Sequence, residues 1–311
     1  MTSDSPNILV VGSINTDMMV RTKNIPSPGE TVLGKKFQCS GGGKGANQAI
    51  AAARLGGKVT MIGRVGDDHL GKMRLDELRA ENINTENIMI TEDTPSGVGM
   101  IIVDRKGENS IVVAGGANMY VTPDDIFGAE ACFEKADYVL LQLEIPLQAV
   151  RAAVDLAQRH NCKVVIDPAP ADHFPDELYN VDLITPNLQE AQILTGKTIG
   201  EERIDKIVAS EFIDKGAETV VLKLGSRGSL AICNDGQMYR TNAFDIEPVD
   251  STGAGDTFAA AITVALGRGL SIRDAATFAN AASAIACTRY GAQMAMPGSM
   301  EVEMLIRDQS Q

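Results

Sequence analysis

The chain has 311 residues, of which 44% are hydrophobic and 22% are charged, the composition of an ordinary globular protein that can bury a large core. Its formal net charge of -13 argues against a nucleic-acid-binding protein, which normally presents a basic face. The sequence has no run near the roughly 18 apolar residues of a transmembrane helix, and no signal-peptide pattern near Pro6. Five scattered cysteines without C-x-x-C spacing favour a reducing, cytoplasmic location.

The first predicted element is a buried strand over Asn7–Ser13, a short apolar run that a glycine interrupts near its end. Asn15 and Asp17 follow it directly. Ligands of open α/β sheets bind beyond the carboxyl ends of the strands, so both side chains are candidates for hydrogen bonding to a polar ligand. A turn without any ligand role is the alternative.

Two stretches, 16–40 and 97–114, lack helical periodicity and have the pattern of short strands and turns. The second contains a hairpin pattern, in which Val98–Val103 is followed by a turn and then by Ser110–Val113. We interpret the two stretches as one small β-sheet lid inserted into an α/β domain. That domain would comprise residues 1–15, 41–96 and 115–311.

Between the two stretches lies a glycine-rich segment, Gly41–Asn47, which leads into an alanine-rich helix through Leu55. Consecutive glycines allow the backbone to approach a ligand closely. The segment is not a P-loop, because Lys44 is followed by glycine rather than Ser or Thr. The glycine spacing after the first strand also differs from the dinucleotide-binding fingerprint.

Predicted strands and helices alternate from residue 120 onward, which indicates βαβ units and a doubly wound, mostly parallel sheet. Polar residues follow several predicted strand ends: Glu144, Asp167, Asn187 and Glu190, and the run Gly225–Gly228. Their shared position favours a ligand site over a set of unrelated caps. The three histidines, His69, His160 and His173, show no metal-ligand spacing, so surface or capping roles are expected.

The stretch Asp250–Phe258 combines two glycines, a carboxylate and the start of an apolar helix. Free N–H groups at a helix N-terminus attract anions, and Gly253 and Gly255 allow a ligand to come close. Asp256 next to such an anion site is a candidate catalytic base. The alternative is an ordinary helix cap.

Taken together, the glycine-rich segment, the N-x-x-E pair of Asn187 and Glu190, and the stretch Asp250–Asp256 resemble the ribokinase (PfkB-type) carbohydrate kinase family over nearly the whole chain. The resemblance implies a ribokinase-like fold and ATP-dependent phosphorylation of D-ribose at O5, with no nucleic-acid or membrane partner. Kinases of 2-deoxyribose, another furanose or a nucleoside are the alternatives within the family. A catalytically inactive sugar-binding regulator is the alternative from another class.

The resemblance also implies a role for each matching residue. The sugar site would comprise Asn15, Asp17, Gly43, Lys44, Gly45, Ala46, Asn47, Glu144 and Asp256. The nucleotide site, with Mg²⁺ near its first two members, would comprise Asn187, Glu190, Lys223, Leu224, Gly225, Ser226, Arg227, Gly228, Gly255 and Asn280. Catalysis would use Asp256 as general base and the turn of Gly253, Ala254 and Gly255 as an anion hole. An activating K⁺ ion would be surrounded by Asp250, Thr252, Ala286, Arg289, Gly291 and Ala295.

Two positions depart from the pattern of this family. Lys223 replaces a Thr that members often carry, and this longer cation either contacts a nucleotide phosphate or points away from it. Ala295 replaces a Ser that some members carry, which leaves the cation site to backbone carbonyls. The resemblance further implies a homodimer that forms through the lid.

Overall fold

The structure is a computed structural model that describes residues 5–172, 174–197 and 202–309. His173 and the predicted domain ends at 1–4 and 310–311 lie outside these ranges. The strands are β1 (Asn7–Val11), β2 (Asn15–Arg21), β3 (Lys36–Gly42), β4 (Lys58–Gly66), β5 (Asn84–Thr91), β6 (Gly97–Val103), β7 (Asn109–Ala114), β8 (Tyr138–Leu141), β9 (Lys163–Ile166), β10 (Leu183–Ile184), β11 (Thr219–Lys223), β12 (Ser229–Cys233) and β13 (Met238–Thr241). The helices are α1 (Lys44–Arg54), α2 (His69–Ala80), α3 (Pro123–Gly128), α4 (Glu130–Phe133), α5 (Leu147–Arg159), α6 (Leu188–Thr195), α7 (Glu202–Asp214), α8 (Ala254–Gly267), α9 (Ile272–Cys287) and α10 (Ser299–Gln309).

A large sheet organises the described part of the chain, with strand order β13-β12-β11-β10-β9-β8-β1-β4-β5. Its strands run parallel from β11 to β5, and β12 and β13 add an antiparallel edge. The central strand β1 buries both faces: Ile8 and Val10 belong to one apolar core, while Leu9 and Val11 belong to the other. Alternate strand residues point to opposite faces, so a strand covered on both sides reads as continuously apolar.

Helices cover both faces of this sheet. One core contains residues of α1, α2, α8, α9 and α10, such as Ile50 and Phe258. The other contains residues of α3, α5 and α7, such as Val150 and Phe212. This arrangement confirms the predicted doubly wound α/β class. None of the helices in the described ranges is long and apolar enough to cross a membrane.

A separate four-stranded sheet has the order β3-β2-β6-β7. The pairing of β6 with β7 is antiparallel and confirms the predicted hairpin, whereas β2 and β6 run parallel. The outer strand β7 exposes all of its side chains. The sheet begins at Asn15, just beyond the carboxyl end of β1, so it leaves the large sheet at the edge where ligands bind in this class of fold.

Several predicted elements differ in extent from the structure. The predicted strand Val181–Thr185 shrinks to the two residues of β10, and the β-compatible triplet at 31–33 forms no strand. Strands β5, β12 and β13 were not predicted. Strands β5 and β13 form the edges of the large sheet, where a strand need not be apolar on both faces, so the buried-strand pattern does not detect them. Strand β12 is buried on both faces, and its short apolar run Leu230–Ile232 is overlooked.

Candidate active site

Asp256 lies in the first turn of α8 and is only 5% exposed. Gly253, which precedes the helix, has φ 76° and ψ 0°, a left-handed conformation that is costly for L side chains. A Cβ there would also approach Ala292 to 3.0 Å. The glycine therefore allows the sharp entry into α8 that puts a buried carboxylate beside the N–H groups of a helix N-terminus. Of these groups, the N–H of Ala254 donates to the Ser251 carbonyl at 3.2 Å.

The carboxylate of Asp256 is held by residues of α1. Asn47 Nδ2 donates to Oδ2 at 2.9 Å, Gln48 Nε2 donates to Oδ1 at 3.3 Å, and the Lys44 ammonium lies 3.8 Å from Oδ1. Burial raises the pKa of Asp256 above its ordinary value; Lys44 opposes this rise and the nearby Asp167 carboxylate adds to it. A carboxylate with a raised pKa is a stronger proton acceptor than an ordinary aspartate, as a general base requires.

Lys44 is the ammonium closest to this base. Burial by itself would lower its pKa, but the carboxylates of Asp256, Asp167 and Glu144 raise it above the ordinary value, so the side chain stays charged. Its backbone N–H donates to Glu144 Oε2 at 3.1 Å, and Ser13 Oγ donates to the same oxygen at 2.5 Å. Glu144 follows β8 and Ser13 follows β1, so two strand ends meet at this point.

Asn15 and Asp17 are brought to the site by β2. Asn15 is buried, and its Oδ1 accepts a hydrogen bond from Asn118 Nδ2 at 2.7 Å, while Asn118 Oδ1 accepts from the Ile14 N–H at 2.8 Å. Asn118 lies in a 3₁₀ turn at Gly116–Tyr120 that carries no motif, and sequence reasoning missed it.

The Asp17 carboxylate lies in a space that two glycines of the small sheet leave free. A Cβ at Gly42 or at Gly99, on the two strands that flank β2, would overlap its carboxylate. Burial, followed by the negative charges of Glu144 and Asp256, raises the pKa of Asp17 to about 6, with Arg74 opposing. We call Asn15, Asp17, Lys44, Asn47, Glu144 and Asp256 the polar cluster.

A cavity of about 700 Å³ opens on the other side of the glycine turn, which contributes Ala254 and Gly255 to its wall. The predicted nucleotide residues that line it are Asn187, Lys223, Gly225, Ser226, Gly228 and Asn280. Leu224 instead packs in a core, and Arg227 is exposed. The stretch from Ala243 to Pro248 and the face of α9 that carries Ser283 and Cys287 complete the wall. Sequence reasoning missed them, because no periodic or motif signal marks the loop before Asp250.

Asn280 is buried in α9, and its Nδ2 donates to Ser229 Oγ at 3.0 Å and to the carbonyls of Thr241 and Asn242 at 3.4 Å. Since these contacts join α9 to β12 and to the end of β13, the amide closes one end of the cavity. The polar residue that stood out within the apolar helix pattern therefore lies at the cavity wall.

Lys223 ends β11 and points its ammonium at Asp167, 2.6 Å away, with Glu190 Oε2 at 3.9 Å. Glu190 closes a capping box with Asn187 at the start of α6. Burial raises the pKa of Glu190, the Lys223 charge opposes this rise, and the Asp167 charge adds to it. The departure noted at position 223 is thus a lysine whose charge is shared between two carboxylates beside the cavity.

The residues predicted to hold a monovalent cation are partly assembled. Asp250 Oδ1 accepts from the Thr252 N–H at 2.9 Å and from Thr252 Oγ1 at 2.7 Å, while Oδ2 accepts from the Gly291 N–H at 3.0 Å. Burial opposes ionisation of Asp250, yet these hydrogen bonds hold its pKa below the ordinary value. Ala286 and Ala295 are buried, and the Arg289 guanidinium pairs with Glu301. In the described residues no group of three or more His, Cys, Asp or Glu could hold a metal ion.

The sequence and structure of the chain are similar to those of known carbohydrate kinases. Residues 5–298 match the pfkB family carbohydrate kinases. The chain is 41% identical over 301 residues to a ribokinase of Bacillus subtilis (96% of this chain, 99% of the relative) and 36% identical over 254 residues to a deoxyribokinase of Salmonella typhi (81% and 83%). An Arabidopsis thaliana ribokinase structure, complexed with ribose and ATP, aligns with a TM-score of 0.90 at 31% identity and covers 97% of this chain and 99% of that one. The chain therefore belongs to the pfkB family of carbohydrate kinases.

Proposed function

We propose that this protein is an ATP-dependent ribokinase that phosphorylates D-ribose at O5. One observation carries the proposal: the buried Asp256, whose pKa is raised by burial, lies at the start of α8, where the other residues of the polar cluster meet the wall of a large cavity. The polar cluster suits a small polyhydroxylated ligand, and the cavity has room for a nucleotide. The ribokinases among its relatives support the choice of sugar.

The reaction uses Asp256 as the acceptor of the O5 proton. As the proton moves to the carboxylate, O5 forms a bond to the γ-phosphorus, and the bond from that phosphorus to the bridging oxygen of ADP breaks. The products are ribose 5-phosphate and ADP. Asn47 and Gln48 hold the carboxylate in place, so little reorganisation accompanies proton transfer.

Negative charge on the transferring phosphoryl group is stabilised by the N-terminus of α8 and by two ammonium groups. Gly255 lines the cavity within the glycine turn, and Lys223 lines it from the end of β11. Lys44 lies on the opposite side, against Asp256. Fixed donors and charges of this kind are the main source of catalysis in phosphoryl transfer.

Mg²⁺ fits beside Asn187 and Glu190. Mg²⁺ prefers oxygen ligands, and commonly binds through one or two carboxylates together with substrate phosphates rather than in an all-protein cage. Burial raises the pKa of Glu190 and the nearby Asp167 charge adds to this rise, so a bound cation would favour the ionised carboxylate. When bound, the ion would neutralise charge on the phosphates of ATP. Lys223 and the capping box keep the Glu190 carboxylate at the cavity edge.

K⁺ fits behind the glycine turn, around Asp250. The carboxylate stays ionised and is fastened to Thr252 and Gly291, so it supplies a fixed negative charge next to backbone carbonyls. When bound, the ion would balance that charge and support the shape of the turn. The side chain of Ala295 contributes no oxygen, so backbone ligands carry the site.

Two further features support a homodimer and a cytoplasmic location. The face of the small sheet opposite to Asp17 exposes Phe37, Met100 and Val112, an apolar group of the kind that marks a protein interface, and we infer that a second copy of the chain covers it in a homodimer. All five cysteines are unpaired, which fits a reducing, cytoplasmic compartment.

The alternatives differ in substrate. The deoxyribokinase relative favours 2-deoxyribose as the second candidate. A nucleoside would need an aromatic or apolar platform for its base, and the chain has no Trp and 4% aromatic residues. An inactive sugar-binding regulator has no need of a buried base beside a helix N-terminus.

ADP release with a panel of ribose, 2-deoxyribose, fructose and adenosine tests the proposal. We expect the highest kcat/KM with ribose, a requirement for Mg²⁺, and a higher rate in K⁺ than in tetramethylammonium. A higher kcat/KM with 2-deoxyribose would move the assignment to that sugar. Absence of ADP release with every sugar would overturn the proposed function.

A further inference from the structure

Two carboxylates share one donor in the interior of the site. Gln48 Nε2 donates to Asp256 Oδ1 at 3.3 Å and to Asp167 Oδ2 at 3.1 Å. The glutamine is fully buried, Asp167 is 1% exposed and Asp256 is 5% exposed. Buried like charges repel each other strongly, so an interposed amide NH₂ group that donates to both lowers the cost of keeping them close.

The orientation of the Gln48 amide follows from its neighbours. Ionised carboxylates only accept hydrogen bonds, so the nitrogen of Gln48 must face them and its oxygen must face away. On that far side, Gln142 Nε2 donates to Gln48 Oε1 at 2.5 Å. Gln142 is itself fully buried, beside Gly12, where any Cβ would overlap its side-chain oxygen. The second glutamine therefore fixes the first.

Asp167 is neutralised from the opposite direction. The Lys223 ammonium lies 2.6 Å from Asp167 Oδ1, and Thr185 Oγ1 lies 3.5 Å from the same oxygen. Lys223 also lines the large cavity. A continuous chain of contacts, Lys223 to Asp167 to Gln48 to Asp256, thus joins the cavity wall to the base.

We propose that Gln48 is a positioning residue for the catalytic base: its amide fixes the Asp256 carboxylate and separates it from the Asp167–Lys223 ion pair. The proposal rests on the proposed function for its catalytic meaning. Without this donor, Asp256 keeps Asn47 as its only side-chain amide partner among the described residues, and it shares no hydrogen-bond donor with Asp167 to offset the repulsion between them.

The first test is Gln48→Met, which keeps the length of the side chain and removes the donor. We expect kcat to fall about 10- to 100-fold, while KM for ATP changes little, because the lost contact serves the transferred proton rather than nucleotide binding. Gln142→Met is the matched control: it also buries a Met in this network, but the hydrogen bond that it removes goes to Gln48 and not to a carboxylate, so its loss of kcat should be clearly smaller. Equal losses in the two variants, or a wild-type kcat in Gln48→Met, would overturn the proposal.

Rescue distinguishes positioning from a packing defect. Adding Asp167→Asn to Gln48→Met removes the charge that Gln48 separates from Asp256, so the double variant should recover part of the lost kcat. A double variant no faster than Gln48→Met contradicts the proposal. Thermal unfolding of each variant reports whether the fold is intact.

A final measurement does not depend on the substrate. Carboxyl ¹³C NMR, assigned by comparison with Asp256→Asn, gives the pKa of Asp256 in the ligand-free protein. The charged groups that act on it are Lys44 from α1, Asp167 after β9, Glu144 after β8 and Asp17 in β2. Because the lost hydrogen bond stabilised the ionised form, the pKa should rise in Gln48→Met and stay nearly unchanged in Gln142→Met. An unchanged pKa in Gln48→Met refutes the positioning role even if no sugar is phosphorylated.

Discussion

The two halves of the candidate site are built differently. In the polar cluster, side chains are already held by hydrogen bonds from distant parts of the chain: Asn47 donates to Asp256, and Ser13, outside the cluster, donates to Glu144. The large cavity is lined by glycines of backbone turns, by apolar residues and by polar side chains such as Asn280 and Lys223. The polar cluster is thus held by hydrogen bonds that exist before any ligand binds, whereas the cavity across the glycine turn is open.

This difference has a physical reason in the proposed reaction. A small sugar offers little surface, so its affinity and orientation must come from polar groups held in advance. A nucleotide is larger and can be bound by shape, backbone N–H groups and a helix N-terminus. Substitutions in the polar cluster should therefore change sugar affinity or kcat, whereas changes confined to the cavity should act on ATP.

The largest expected effect is at the junction of the two halves. Asp256→Asn keeps the shape and removes the base, so kcat should fall about 10²- to 10⁴-fold while ATP affinity is retained. Steady-state kinetics and ATP titration calorimetry measure the two quantities. Asp245→Asn, the same change at an exposed point of the cavity wall, is the control and should keep kcat near wild type. A wild-type kcat in Asp256→Asn refutes the assignment of the base.

A smaller effect should separate the two halves by pH. Burial and two neighbouring carboxylates raise the pKa of Asp17 to about 6, so the group accepts hydrogen bonds as a carboxylate above pH 6 and is protonated below it. Loss of a charged acceptor costs about 1.5–3 kcal/mol, so ribose affinity should weaken by about tenfold or more as pH falls through 6. ATP affinity, measured by the same calorimetry, should not follow this curve. Asp17→Asn should bind ribose weakly at every pH, and an unchanged pH curve in that variant would contradict the role of Asp17.

The smallest effect concerns the glycine turn itself. Gly253→Ala forces an L side chain into a positive φ and against Ala292, so the free energy of unfolding should drop by about 1–2 kcal/mol. Gly255→Ala is the matched control, because outside the backbone of α8 the described residues place only the flexible end of Lys223 within 4 Å of a Cβ there, at 3.5 Å. Chemical denaturation measures both. Equal losses would mean that the strain at Gly253 is not what requires a glycine.

Much of the fold could be predicted because the pattern of a doubly wound sheet is local. The apolar runs around Val10 and Val165 are short and uninterrupted, as strands buried on both faces must be. Strands that are not buried on both faces lack this pattern and are not predicted by it. The edge hairpin of β12 and β13 turns at Asn234–Gly236, a recognisable turn signal. Its outer strand β13 mixes polar and apolar residues, so the buried-strand pattern does not detect it.

The candidate site divides in the same way. Motifs indicated Asn15, Asn47, Asp256 and Asn280 because glycine turns and isolated polar residues in apolar helices are visible along the chain. Asn118 and the wall from Ala243 to Pro248 carried no such mark, since their contribution depends only on what they contact in three dimensions. The assignment of Lys223 to the nucleotide stays a prediction, to which the structure adds the ion pair with Asp167.

By itself, the sequence determined the class of fold, the family and the residue types that the reaction needs, because strand burial, glycine turns and helix starts are written in neighbouring residues. Only the tertiary structure decided how charges are shared. Gln48 lies 119 residues from Asp167 and 208 from Asp256, yet one nitrogen serves both. Whether a buried carboxylate is paired, repelled or bridged depends on distances of a few ångströms between distant segments, and no local pattern encodes them.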